Sequence, residues 1–173
     1  MEYPVFAPPI ELAEKQPREW SKAEAEAYFK WFLANFDSRV NGVLDFLKLN
    51  DQDPPNILLF NAQEKLEELL LNEQFVTSLP AGRKLTNKGY AVAADLGLLV
   101  ARLLLEHGQG KVAWNILKKP KTDQSYNLPI LIGFGEIHFD PIAWSIGDAS
   151  WLAQGNKKHG AWVKGFEFLM GKI

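Results

Sequence analysis

The sequence has no cysteine. That excludes disulfides, a thiol nucleophile, cysteine-ligated zinc and iron–sulfur clusters, and it agrees with a reducing compartment. Histidine is scarce, at three residues, too few for a histidine-rich centre. No charge of one sign prevails, since 19 Lys and Arg face 21 Asp and Glu for a formal net charge of -2. A protein that works by neutralising nucleic-acid phosphates needs a basic surface, so no nucleic-acid partner is expected. Lys111, Lys118, Lys119 and Lys121 cluster, as do Lys157 and Lys158, but among turn residues, where solvated loop lysines are the simpler reading.

Long uncharged apolar runs are also missing. The longest apolar stretch, Tyr90 to His107, is interrupted by Asp95 and Arg102, and its uncharged portion is far short of the roughly 20 residues of a membrane span. The first nine residues carry neither a basic leader nor an apolar core, so no signal peptide, no membrane association and a cytoplasmic location are expected. Catalytic signatures are absent: no Gly-x-Ser-x-Gly elbow, no phosphate-cradling Gly-x-x-x-x-Gly-Lys loop and no His-Glu-x-x-His occurs. Gly133-Phe-Gly135 lacks the third glycine and the following helix of a dinucleotide turn.

What is present is a globular composition, 47% hydrophobic and 12% aromatic, long enough for one full core. Residues 1–20 carry Pro4, Pro8, Pro9 and Pro17, which predicts an extended arm without helix, docked through Tyr3, Val5, Phe6, Ile10 and Leu12. Residues 21–108 read as helical. Ser21 and Glu24 form a capping box, and apolar residues from Ala25 to Leu47 at spacings of three and four predict a helix to about Lys48, with Glu24, Glu26, Lys30, Asp37 and Arg39 on its wet face. Asn50 to Pro55 is a stop. Ile57 to Phe60 is ambiguous between strand and helix. Asn61 with Glu64 signals a second helix through Leu66, Leu69 and Leu70, broken at Ser78 to Gly82.

A third helix, Asn87 to His107 behind a Thr86 cap, is apolar around nearly its whole circumference. Ala93, Ala94, Gly97 and Ala101 make a narrow strip for close packing, and Gly108 reads as the left-handed stop. Residues 109–140 read as a β-meander: Val112–Leu117, a hairpin loop at 120–125, Tyr126–Ile132 with Pro129 at an edge or before the true start, a turn at Gly133–Gly135, and Glu136–Phe139. Residues 141–173 read as two helices, the first capped by Asp140 before Pro141. The fold class is therefore α+β, about five helices packed on a small three-stranded antiparallel meander in a single domain.

Few residues stand out as chemistry. His138 and Asp140 share a strand face, so imidazole and carboxylate could bind a metal or form an acid–base pair, with Glu136, Asp148 or His159 as a third group. Against this, Asp140 is already accounted for as a helix cap. Asp95 is a carboxylate inside an apolar helix. It must be paired or face outward; a raised-pKa general acid is one reading, and a rim or capping residue, with Arg102 two turns along roughly the same face, is the plainer one. Asn115 is a polar residue on the Trp114 strand. Trp114 and Trp162 are expected in the core, whereas Trp144 and Trp151, seven apart on one helix, are candidates for a surface or groove contact.

The small-residue helix segment Ala94-Asp-Leu-Gly97, its glycine loop, the strand Val112-Ala-Trp114 and the turn Phe139-Asp-Pro141 resemble an uncharacterised family of bacterial cytosolic α+β proteins, a domain of unknown function, over about residues 86–145. Ser21 to Phe32 is similar to the amphipathic helix with which some of those proteins begin. The loop before Trp114 is one residue longer here than the Gly-x-x-Trp spacing of that pattern. The resemblance implies a bacterial origin and supplies no site residue. With no catalytic residue, cofactor or metal ligand set assigned, the expected function is a non-enzymatic protein-interaction or accessory protein, of which an immunity protein is one kind, with another protein as partner. The alternative is a small-molecule or metal-binding protein, hydrolytic in one version, with its site at His138 and Asp140.

Overall fold

The computed structural model describes residues 3–4, 7–156 and 160–173. In chain order the elements are α1 (Ile10–Ala13), a 3-10 turn (Pro17–Glu19), α2 (Lys22–Leu47), α3 (Pro55–Leu69), β1 (Val76–Leu79), β2 (Gly82–Leu85), α4 (Asn87–His107), β3 (Ala113–Ile116), β4 (Pro129–Phe134), β5 (Ile137–Phe139), α5 (Pro141–Ala153) and α6 (Ala161–Met170). The class is mixed α+β, with six helices and two antiparallel sheets among the described residues: the expected meander in the order β3-β4-β5, and a hairpin, β1-β2.

Helix α4 lies at the centre because its sequence leaves it little wet surface. Fourteen of its 21 residues are buried, and it packs against α2, α3, α5, α6 and β2, most extensively against α5. Two glycines set how close its neighbours come. A Cβ on Gly97 would lie 2.2 Å from the Pro141 carbonyl oxygen and 3.0 Å from Ser145 Cβ, and one on Gly89 would lie 2.3 Å from the Phe75 carbonyl oxygen. The helix gives up about 1 kcal/mol of propensity at each glycine and gains backbone-to-backbone contact on two sides.

Helix α2 begins with the capping box: Ser21 Oγ accepts from the Glu24 amide at 3.2 Å, and the Ser21 amide donates to Glu24 Oε2 at 2.7 Å. Its buried stripe, with Phe32, Phe36, Val40 and Val43, faces α4 and the meander. Trp114 of β3 meets Phe32 and Phe36 edge-on, with centroids 4.9 and 5.5 Å apart, and this joins the sheet to α2. Strand β4 starts at Pro129, and the first residue of a strand tolerates a missing N–H. It runs through Phe134, past the turn expected at 133. Gly133, at φ +119°, makes the bulge that shifts the register between Leu131↔Phe139 and Phe134↔Ile137.

Five local readings change. The arm contains one helical turn, Ile10–Ala13, because Pro8 and Pro9 precede it, where no amide is required, and the Pro9 carbonyl accepts from the Leu12 and Ala13 amides. Of the docking residues expected there, Tyr3 and Leu12 are buried, joined by Trp20, whereas Ile10 is 77% exposed because the helical turn points it outward from the core; Val5 and Phe6 lie outside the described residues. Ile57–Phe60 is helical, since α3 starts at Pro55 by the same first-turn tolerance and not at Asn61. Residues 76–85 form a hairpin around Pro80-Ala81 in place of a simple break. Gly108 has φ -75° and is required by the close approach of Val112, while Gln109 and Gly110 take the left-handed conformations.

The two glycine environments on the α4–α5 pair make opposite predictions. Gly97→Ala should cost about 1–3 kcal/mol by forcing α4 and α5 apart. Gly147→Ala, on α5 with nothing within 4 Å of the new methyl, should add about 0.5–1 kcal/mol of helix propensity. Urea denaturation of both variants measures this.

Candidate functional site

The polar residues inside the core were the least visible in the sequence. Arg39 is on α2, three residues after Phe36 and four before Val43, at the margin of the buried stripe. It is buried, in place of the exposed position expected for it. Its guanidinium Nη2 pairs with Asp95 Oδ1 on α4, and the Tyr3 hydroxyl donates to Asp95 Oδ2 from the N-terminal arm. Asp95 is therefore neither a rim residue nor a cap, and its partner is not Arg102. Arg102 turns instead to Asp51 in the stop after α2 and to Glu106 one turn along. The seven-residue separation of Asp95 and Arg102 keeps them on similar bearings but places them about 10 Å apart along a helix axis, too far to meet.

The electrostatics of the trio follow from burial. Loss of water pushes the Asp95 carboxyl up from the usual range, and the Arg39 charge and the Tyr3 hydrogen bond offset only part of this. The same loss pushes the Arg39 guanidinium down, again only partly offset by Asp95. Burial, and then the Asp95 charge, drive the Tyr3 phenol up, so it stays a neutral donor.

Two clefts meet at Arg39. One, of about 360 Å³, lies beneath the arm and is lined by Tyr3, Pro4, Trp31, Asn35 and Asp95 among others. The other, of about 370 Å³, opens between α2, α4 and α5 beside Tyr28, Tyr90 and Ile142. Arg39 lines both, whereas Asp95 lines only the first. A third concavity, of about 390 Å³, runs between α3 and α6, lined by Asn56, Ile57, Phe60, Val163, Lys164 and Glu167. Ile57 and Phe60 are 47% and 49% exposed there.

The residues singled out from the sequence do not converge. His138 is on β5, with Nε2 at 3.4 Å from Asp123 Oδ2 in the hairpin loop. Asp140 caps α5, accepting from the Ala143 amide at 2.9 Å and from Ser125 Oγ at 2.7 Å. Among the described residues no group of three His, Asp or Glu side chains is placed to hold a metal ion; Glu136 is exposed in the turn before β5, Asp148 is buried on α5, and His159 lies outside the described residues. Asn115 is exposed on β3, its Oδ1 accepting from the Ile116 amide. Trp144 is a packing residue. It contacts Phe139 and Trp162 at 5.4 and 6.0 Å between centroids, and a Cβ on Gly165 would lie 2.5 Å from its ring. Trp151 is 47% exposed, so the two tryptophans do not share one surface. The clustered lysines of the hairpin loop are exposed, and Lys157 and Lys158 lie outside the described residues.

Two further polar residues were missed. Ser145, fully buried, donates to the Ala93 carbonyl at 2.6 Å and accepts from Trp162 Nε1 at 3.0 Å. Asn127, at φ +67°, donates to the Pro17 and Trp20 carbonyls at 2.8 and 3.2 Å, which ties the arm to the hairpin loop. Their signal in sequence is a small polar residue inside an apolar run, which also fits an exposed position. Among the described residues no helix is long and apolar enough to cross a membrane. No family model, no curated protein and no solved structure matches this chain.

Two outcomes follow. Removing one member of the buried pair should cost far more than removing both: Arg39→Met alone should lose about 3–5 kcal/mol, whereas Arg39→Met with Asp95→Leu should lose less than either single change. Tyr3→Phe should cost about 1–3 kcal/mol. A urea double-mutant cycle measures all three. Second, His138→Ala should leave the melting temperature equally responsive to added zinc, manganese and magnesium as the parent, read by differential scanning calorimetry.

Proposed function

We propose that the chain is a non-enzymatic bacterial protein-interaction module, an accessory or immunity-type protein acting in the cytoplasm, and that it grips its partner in the α3–α6 groove. The observation that supports this is the pairing of Ile57 and Phe60, each half exposed, with Val163 in one concave strip. Isolated surface leucines or isoleucines are ordinary, but neighbouring large apolar side chains in a concavity are where partners anchor. Lys164 and Glu167 line the same strip with one charge of each sign, which suits a partner helix with an apolar face and mixed polar flanks better than a membrane or a polyanion.

The experiment is affinity purification at native expression from the native host, with the wild-type chain, Phe60→Glu and Leu71→Glu. Leu71 is also strongly exposed but lies outside the groove. A stoichiometric partner should copurify with wild type and Leu71→Glu and be lost with Phe60→Glu, a loss of at least about 30-fold in affinity. Recovery of the protein alone across growth conditions, or equal capture by all three, overturns the proposal.

A further inference from the structure

We propose that the cleft between α2, α4 and α5 is a binding site for a small uncharged molecule with an apolar body and a hydrogen-bond acceptor, an aromatic ketone for example, which accepts from the Tyr28 hydroxyl. The site is distinct from the α3–α6 groove and does not depend on it. Tyr28 belongs to α2, while Tyr90, Ala91 and Ala94 of α4 and Ile142 and Ile146 of α5 supply the rest of the apolar lining. At about 370 Å³ the cleft falls in the range of small-molecule pockets and is too small for a folded partner.

Tyr28 selects the polar group of the ligand. Its side chain is 8% exposed, and Trp20 and Trp31 brace its ring at 4.8 and 5.4 Å between centroids. A tyrosine buried to this extent usually bonds its hydroxyl to the protein, as Tyr3 does with Asp95. The Tyr28 hydroxyl has no hydrogen-bond partner among the described residues, and it is not sealed from solvent. The charges that act on it are Arg39, in the lining of the same cleft, and Asp140, the cap of α5. They put the hydroxyl end of the ring on the cleft side. The phenol is pushed up to about 12, chiefly by burial, so it is a neutral donor across the physiological range.

The remaining lining selects against ions. Arg39 is its one charged residue, and Asp95 already holds that charge. The ion pair offers a ligand no net charge to answer its own, so a carboxylate, phosphate or ammonium group would give up its water for no counter-ion. An uncharged acceptor gives up far less and gains a donor that has no other partner in the protein. Ala91 and Ala94 are about one turn apart on α4, and their short side chains leave room for an apolar body. Ile142 and Ile146, one turn apart on α5, supply branched apolar surface to the same cleft.

The test uses the full chain and acetophenone as probe, followed by amide NMR shifts and calorimetry. Ethylbenzene offers the same skeleton without the acceptor, and benzoate and 1-phenylethylamine carry a charge of either sign. Acetophenone should give saturable shifts at Tyr90, Ala94 and Ile146 and bind at least about tenfold more tightly than either ion. It should bind about three- to tenfold more tightly than ethylbenzene, the worth of one hydrogen bond. Tyr28→Phe should erase the margin over ethylbenzene and leave the margin over the ions. Because the hydroxyl bonds nothing in the protein, Tyr28→Phe should also keep the parent's melting temperature, so loss of the margin is not loss of the fold. Equal binding of acetophenone and ethylbenzene, tighter binding of an ion, or an undiminished margin in Tyr28→Phe overturns the proposal. So does a Tyr28→Phe melting temperature well below the parent's, a set of shifts confined to other surfaces, or no saturable shift at millimolar probe.

Discussion

The interaction on which the structure turns is the buried contact of Arg39 with Asp95, completed by the Tyr3 hydroxyl. It joins three segments that are remote in sequence: the N-terminal arm, α2 and α4. Burial of each ion outweighs the return from the other, as the directions of both pKa shifts show. Such a pair adds little net stability compared with apolar residues of the same size, but it punishes any packing that separates its members. In this protein it fixes the rotation of α2 against α4, and with it the placement of the arm. The paired Arg39 also lines two clefts, one beneath the arm and one between α2, α4 and α5.

Around that fixed point the fold is assembled by close approach. Gly97 lets the start of α5 lie against the middle of α4, and Ser145, one turn further along α5, bonds the Ala93 carbonyl and the Trp162 indole. Gly165 then makes room for the Trp144 ring, which carries the contact to Phe139 at the end of the meander. Small residues on α4 and α6 thus bring the C-terminal aromatics inward. Trp144 is spent on cohesion for this reason and is not displayed for binding.

Much of the secondary structure was legible because its signals are local. Ser21 with Glu24 marks the start of α2, Thr86 that of α4, and Asp140-Pro141 that of α5; each needs only a few consecutive residues to be recognised. The β1–β2 hairpin was missed because Val76 to Leu79 is only four residues long and shows no clear alternation, with burial on one residue of four. The start of α3 was missed because Pro54-Pro55 reads equally as a stop and as a first turn. The site was hardest to see. Whether Arg39 is wet or buried depends on Asp95 being there to receive it, and no window of α2 contains that information. His138 and Asp140 illustrate the reverse error: two residues apart and suited to joint chemistry, they are taken by Asp123 on one side and by the α5 amide on the other.

The docked arm has a consequence for the order in which the chain is made. Tyr3 and Trp20 are made before their partners: Asp95 follows Tyr3 by 92 residues, and Asn127 follows Trp20 by 107. Neither contact can form until that length of chain has been added. During that interval α2 emerges with Arg39 on its core-facing margin and no carboxylate from α4 to meet it. The arm therefore cannot close on Asp95 before α4 has been made.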